Sequence, residues 1–274
     1  MKVNHWNGLV VFYLVLVFGI ISCYTPQDGC LDPESTNYSI VGDRDCEDCC
    51  VYPTIKLSVF HQNGDTTLFL DNNDTLINNL GQEYSIVKYV YFLSDFKMET
   101  PDGPVEVQDS IQLDIPDGTI HTKDDVIRVR RDGFSYVFGT IIFDGEVSEV
   151  SFKLGLPELL NTNRFTSEVP SHPLTNDPDS LFRDTEGDYV FQRIQIAQGV
   201  DFRDTVIYDI VGQNTVQEIV VPLSYVSERG KDKTLIIEAR YDIWFEDVDF
   251  IQMNKEEIET QIMENSSTMF FERK

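Results

Sequence analysis

The distribution of cysteines divides the chain into two unequal parts. Four of the five cysteines, Cys30, Cys46, Cys49 and Cys50, lie between residues 30 and 50, and no cysteine follows them. An even number of clustered cysteines in an exported chain indicates two disulfides that staple a segment too small for its own core. Metal binding by the thiols is the alternative, but it needs reduced cysteines, which an oxidising compartment disfavours. Three pairings are open, and a bridge between the adjacent Cys49 and Cys50 is the least favourable because of its strained geometry.

The N-terminus predicts export. Residues 9–21 form an uninterrupted apolar run that follows Lys2 and precedes Ser22 and Cys23. This run is too short to span a bilayer, so it indicates a cleaved secretory signal rather than a transmembrane helix. The sequence at residues 20–23 resembles a bacterial lipobox, which predicts a signal peptide over residues 1–22 and acylation of Cys23. An outer-membrane lipoprotein, facing the periplasm or the cell surface, is therefore expected, and an ordinary signal followed by an incidental Cys23 is the alternative.

The charge balance excludes one class of partner. The chain carries 21 Lys and Arg against 47 Asp and Glu, a formal net charge of −26. We therefore expect no nucleic-acid binding through a cationic surface. With 41% hydrophobic and 12% aromatic residues, the chain still has enough apolar material for a core.

Residues 54–274 have the pattern of an all-β domain. Apolar and polar residues alternate from residue 55 to residue 59 and again from 235 to 246, as in half-buried strands, and turn signals separate further short strands. The spacing predicts an antiparallel β-sandwich. Asn254 followed by Glu257, with Ile258 and Ile262 one turn apart, predicts a short C-terminal helix. The long irregular stretch at residues 161–188 is the first place to expect a site.

Two resemblances sharpen this interpretation. The stretch GCLDPE at residues 29–34, with Asn37-Tyr38 and then CVYP at residues 50–53, resembles a short cysteine repeat common in surface proteins of Bacteroidota. That resemblance implies a disulfide between Cys30 and Cys50, which leaves Cys46 and Cys49 as the second pair. The predicted module and linker therefore cover residues 23–53.

The second resemblance covers roughly residues 54–272. Its motifs are VFH at residues 59–61, YFLSDF at 91–96, KLGLPELLN at 153–161 and WF at 244–245, and in this order they resemble the MbnP-like family of exported β-sandwich proteins. The resemblance implies copper as a cofactor, held by histidines and a modified tryptophan. It also implies a dihaem peroxidase or an outer-membrane transporter as a partner. The family's tryptophan-rich segment corresponds here to residues 180–191, which contain no tryptophan.

Few residues qualify as metal ligands or contact residues. His61 is in phase with the core side of the first strand, and His172 lies in the long loop, so copper binding would require these two residues to meet. His121 follows a turn and is expected to be solvated. Trp244 falls on the polar face of the strand predicted at residues 235–246 and is a candidate contact residue. Packing of Trp244 beneath the C-terminal helix is the interpretation that the sequence favours.

No catalytic motif is present. The sequence contains no Gly-rich phosphate loop, no GxSxG elbow and no HExxH helix, and its cysteines are confined to the module. We therefore expect a protein without enzymatic activity. Two functions remain open, namely metal handling with copper and an accessory role in which the surface binds a glycan or a protein partner.

Overall fold

The computed structural model describes residues 24–46, 48–68, 74–166, 172–198 and 204–273. The strands, in chain order, are β1 (Asp28–Gly29), β2 (Arg44–Asp45), β3 (Thr54–Asn63), β4 (Thr66–Thr67), β5 (Leu76–Ile77), β6 (Glu83–Thr100), β7 (Gly103–Glu106), β8 (Ser110–Ile115), β9 (Gly118–Lys123), β10 (Ile127–Arg130), β11 (Ser135–Thr140), β12 (Gly145–Leu154), β13 (Phe182–Arg183), β14 (Asp188–Gln198), β15 (Asp204–Val211), β16 (Gln217–Ser227), β17 (Lys233–Arg240) and β18 (Phe270–Glu272). The helices are α1 (Glu158–Asn161), α2 (Tyr241–Trp244) and α3 (Lys255–Ser266), with a 3₁₀ turn at Gln213–Thr215. None of the helices in these ranges is long and apolar enough to cross a membrane.

Two sheets form the sandwich. The larger has nine strands in the order β13-β14-β6-β12-β16, with β15 paired to β14 and with β5, β7 and β10 paired to β6. The smaller has five strands in the order β11-β3-β17-β18, with β4 paired to β3. All pairs in the two sheets are antiparallel except β3 with β17. The predicted all-β antiparallel sandwich with a short C-terminal helix is therefore confirmed.

Strand β6 separates two hydrophobic cores. Tyr89 and Tyr91 point into the main core between the two sheets, whereas Val90 and Phe92 pack in a second core on the outer face. This split follows from strand geometry, because successive side chains point to opposite faces. Residues 158–166 and 172–182 cover the outer face. The region predicted as a loop thus buries apolar side chains, and Leu174 is only 2% exposed.

The C-terminal region corrects one predicted strand. Strand β17 ends at Arg240, and the chain then turns into helix α2 instead of continuing extended to residue 246. The helical turn rotates Trp244 into the core, where its exposed fraction is 0% and its indole Nε1 donates to Ser266 Oγ at 2.9 Å. Trp244 is therefore not an exposed contact residue. It packs beneath helix α3 instead. The capping box of Asn254 and Glu257 begins helix α3.

The N-terminal module contains two disulfides and contacts the sandwich. The pairs are Cys30–Cys50, which the cysteine repeat implies, and Cys46–Cys49, the predicted second pair. Arg229, in the turn between β16 and β17, pairs with Glu34 at 3.1 Å. The next residue, Gly230, has a positive φ of 62°, and a Cβ there would lie 2.7 Å from the carbonyl oxygen of Ser35. Only glycine fits this close approach. Cys23 and the predicted signal peptide lie outside the described residues.

Candidate functional site

His61 lies near the end of β3, inside the sandwich. Its imidazole packs edge-on against Tyr89, with the ring centroids 5.0 Å apart. Its Nε2 is 3.3 Å from the carbonyl oxygen of Gly133, and its Nδ1 is 2.9 Å from the hydroxyl of Tyr241. A carbonyl oxygen can only accept, so Nε2 carries the proton and the Tyr241 hydroxyl donates to Nδ1.

Burial keeps this pair neutral. It lowers the pKa of His61 to about 4, and the nearby Arg131 guanidinium acts in the same direction, while the bond to Gly133 opposes them. Burial also raises the pKa of Tyr241 far above its usual value. The cavity beside His61 has a volume of only about 10 Å³, which is barely enough for one water molecule. Both ring nitrogens are thus engaged within the protein, and neither offers a free lone pair to a metal ion.

His172 is buried in the segment over the outer face. Its Nδ1 accepts from the backbone N–H of Leu174 at 3.3 Å, which places the ring proton on Nε2. Nε2 has no hydrogen-bond partner among the described residues, and the closest carboxylate oxygen, Asp124 Oδ1, is 3.7 Å away. Burial lowers the pKa of His172 to about 4, so the ring is neutral. His172 therefore has a buried N–H donor without an acceptor in the described part of the chain.

The structure does not bring the two predicted copper ligands together. His61 contacts Tyr89 on the inner face of β6, whereas His172 precedes Leu174, which packs with Phe92 on the outer face. The two histidines also line different cavities. Because a sheet separates them, a copper site shared by His61 and His172 does not fit this fold. The third histidine of the domain, His121, is exposed on β9, as expected.

The other donors of the predicted copper site do not supply it either. The indole N–H of Trp244 is bonded to Ser266. Within the described ranges, the three metal-capable side chains that lie close together are Asp45, Cys46 and Cys50, and both cysteines are in disulfides. A disulfide sulfur is not a thiolate and does not replace one as a metal ligand.

A cleft of about 460 Å³ lies where the edges of the two sheets meet. It opens between β10 of the larger sheet and β11 of the smaller sheet, and His172 lies at its wall. Asp124 also lines it, with a pKa raised by burial and by the neighbouring Asp109 carboxylate. The lining residues are Ile111, Asp124, Val126, Ile127, Arg128, Arg130, Ser135, Tyr136, Val137, His172 and Pro173.

A buried carboxylate holds this wall in place. The side chain of Asp179 is 1% exposed and lies 2.7 Å from Lys88 Nζ, 3.6 Å from Arg128 Nε and 3.7 Å from Arg130 Nε. Arg128 also donates to the carbonyl of Asn176 at 2.6 Å. This cluster was not predicted from the sequence. Its signal was the spacing of Arg128 and Arg130, which places both side chains on one face of a strand.

The fold and the cleft together define a β-sandwich with a ligand-sized groove at its edge. The family follows from comparison with known proteins: the family model MbnP matches residues 52–266, so the chain belongs to the MbnP family. Among solved structures, MbnP from Methylosinus trichosporium is similar, with a TM-score of 0.44 and 11% identity over 72% of this chain and 78% of that one. No curated protein matches the sequence.

Proposed function

We propose that this member of the MbnP family is a non-catalytic accessory protein that binds a partner outside the cytoplasm, rather than a copper carrier. The observation that carries the proposal is the geometry of His172. Its Nε2–H is a buried donor in the wall of the cleft of about 460 Å³, and it has no hydrogen-bond acceptor in the described part of the chain. A buried donor without a partner costs free energy that a bound acceptor would recover.

The tautomers argue against the copper alternative. A metal ion binds the lone pair of an imidazole nitrogen, and the hydrogen bonds of His61 and His172 place a proton on Nε2 in each ring. Their Nδ1 atoms accept from Tyr241 and from Leu174. Copper binding would therefore have to break a buried hydrogen bond at each histidine before forming a single metal bond.

Titration with Cu(I) against a competing chelator tests this proposal. We expect no binding with a dissociation constant below about 1 μM. Replacing His61 or His172 with Ala should leave the titration unchanged, and His121→Ala is the matched control for an exposed imidazole. Tighter binding that either buried-histidine variant abolishes would restore the copper function.

Anchoring to the outer membrane is the second part of the proposal. It is supported by the apolar run at residues 9–21 and by the lipobox-like sequence that ends at Cys23. Acylation there would tether the disulfide-containing module to the membrane, with the sandwich beyond it. Replacing Cys23 with Ala should release the protein or leave an unprocessed precursor. Unchanged membrane fractionation and unchanged electrophoretic mobility would contradict the anchor.

A further inference from the structure

The N-terminal module exposes an apolar turn. The backbone N–H of Gly42 donates to the carbonyl of Ser39 at 3.4 Å, so Ile40 and Val41 occupy the two central positions of a tight turn. Ile40 is 85% exposed and Val41 is 71% exposed. Surface turns are normally built from Gly, Pro, Asn, Asp and Ser, and β-branched apolar residues have no local reason to occupy their centre. The exposure of two such neighbours indicates contact with something outside the chain.

Two exposed tyrosines accompany this apolar pair. Tyr38, two residues before Ile40, and Tyr24 are both exposed. The hydroxyl of Tyr24 donates to the carboxylate of Asp43, which follows Val41 by two residues. Tyrosine combines an apolar ring with a polar hydroxyl, and it is enriched where a bilayer meets water. We call these four exposed side chains, at positions 24, 38, 40 and 41, the apolar tip of the module.

The apolar tip lies next to the predicted attachment point of the lipid. Cys23, which the lipobox-like sequence predicts to be acylated, is the residue before Tyr24. The backbone N–H of Gln27 donates to the Asp43 carboxylate at 3.0 Å, and the N–H of Asp43 donates to the carbonyl of Gln27 at 2.9 Å. The module thus folds the chain back on its own start. This fold brings the exposed turn beside the residue that would carry the lipid.

A different turn of the module contacts the sandwich. The N–H of Ser35 donates to the carbonyl of Asp32 at 3.1 Å and closes this turn. Glu34 pairs with Arg229, and Ser35 is buried against Gly230. The sandwich therefore covers the turn at residues 32–35 and leaves the apolar tip exposed.

The charges around the apolar tip favour a zwitterionic lipid surface. Arg44 is the single basic residue of residues 24–46, and it pairs with Asp28 at 3.0 Å. Surfaces that bind anionic lipids carry clusters of Lys and Arg, which this part of the chain lacks. The Asp43 carboxylate beside the tip would be repelled by anionic headgroups but can meet the cationic group of a zwitterionic one. Apolar side chains next to an acid therefore fit a neutral lipid surface.

We infer that the apolar tip inserts into the interfacial layer of the membrane that carries the lipid anchor. This inference rests on the acylation of Cys23 in the proposed function and adds a second membrane contact to it. Ile40 and Val41 would reach the boundary between headgroups and acyl chains, with the two tyrosines at the level of the headgroups. The module would then contact the membrane through one turn and the sandwich through another. It would thereby set the orientation of the sandwich relative to the membrane.

Quenching by brominated lipids tests the inference on the full acylated chain. After signal cleavage Trp244 is the sole tryptophan, and because it is fully buried, lipid quenchers should leave the emission of the wild type unchanged. The tryptophan introduced by Val41→Trp should lose emission at least about twofold in phosphatidylcholine vesicles brominated on their acyl chains. The matched control is Ile251→Trp, because Ile251 is 75% exposed and should stay outside the membrane.

Ile251 is a suitable control because it lies far from the module. The N–H of the preceding residue, Phe250, donates at 2.8 Å to Gln82, just before strand β6 begins. The module instead contacts Arg229, which also pairs with Asp144, just before strand β12. Strand β12 pairs with the other end of β6. Equal quenching at positions 41 and 251 would overturn the inference.

Nitration of tyrosine measures the same contact without an added tryptophan. The double variant Ile40→Ser, Val41→Ser keeps residues that suit a turn, so its thermal unfolding should match that of the wild type. In vesicles a water-soluble nitrating reagent should modify Tyr38 at least about threefold faster in the double variant than in the wild type, because the tip no longer enters the membrane. Tyr225, in the sandwich, is the internal reference. A rate at Tyr38 that the serines leave unchanged would also overturn the inference.

The anchor and the tip fail in different assays. If Cys23→Ala leaves membrane fractionation unchanged, the anchor is overturned together with the tip contact that rests on it. If Cys23→Ala releases the protein but the tryptophan at position 41 is not quenched, the anchor stands and only the tip contact is overturned. The copper titration is independent of both results.

Discussion

Acid should destabilise this protein through its two buried histidines. Burial lowers the pKa of His61 and of His172 from 6.5 to about 4. Below pH 6.5 the unfolded chain takes up a proton at each of these residues and the folded chain does not, so the free energy of unfolding falls as the pH falls. The loss begins near pH 6.5 and is complete near pH 4, where the folded state is protonated too.

The magnitude follows from the size of the shift. Each pKa unit corresponds to 1.36 kcal/mol. The shift from 6.5 to about 4 therefore lowers the free energy of unfolding in acid by at most about 3 kcal/mol per histidine. At pH 5 about 2 kcal/mol of this would already be lost at each residue. Asp125 acts in the opposite direction, because burial and the nearby Asp95 raise its pKa to about 6. Its contribution is the same in wild type and in histidine variants, so it cancels when they are compared.

Urea unfolding at pH 7.5 and pH 5.0, followed by the fluorescence of the buried Trp244, measures the effect. His61→Gln and His172→Gln cannot take up the proton, so each should reduce the loss of stability between the two pH values by about 2 kcal/mol. His121→Gln, at an exposed position on β9, is the control and should lose as much stability as wild type. If both buried-histidine variants lose as much stability between the two pH values as wild type, the description of His61 and His172 as neutral and hydrogen-bonded is wrong.

Two further predictions concern stability at neutral pH. Asp179→Asn should destabilise the fold by about 3 kcal/mol, measured by urea unfolding, because it removes the charge of a fully buried carboxylate that pairs with three cations. Asp132→Asn, which removes an exposed partner of Arg130, should cost less than about 1 kcal/mol, and equal costs for the two variants would contradict the importance of the buried cluster. Trp244→Ala should cost about 3–5 kcal/mol in the same assay because it empties a fully buried site. A cost within about 0.5 kcal/mol of zero would instead mean that Trp244 is exposed.

Strands and the β-sandwich class could be predicted from the sequence because the alternation of apolar and polar residues in a half-buried strand is visible directly. The residues after Arg240 show the limit of that signal. Tyr241, Trp244, Phe245 and Val248 are all buried and have the i, i+3, i+4, i+7 spacing of a helical turn, yet Tyr241, Ile243 and Phe245 also fit an extended strand. The same residues therefore fit both a helix and a strand. The packing of helix α3 over this region decides between them, and packing cannot be derived from local periodicity.

The positions of the histidines show a different limit. The phase of β3 correctly predicts that the His61 side chain is directed inward, because its alternation with residues 55, 57 and 59 is local. No comparable rule places His172, which lies in an irregular segment between two short elements. Its position depends on contacts distant in sequence, such as the bond from Arg128 to the carbonyl of Pro173. Whether two histidines meet is therefore a tertiary property, and the sequence left it open.

The segment without tryptophan, residues 180–191, packs against the outer face of the larger sheet. Here that stretch supplies Leu181, Tyr189 and Phe191 to the outer core, each at most 1% exposed. Asp179, just before this stretch, forms ion pairs with Lys88 on β6 and with Arg128 and Arg130 on β10. The segment therefore secures the wall of the cleft that carries His172.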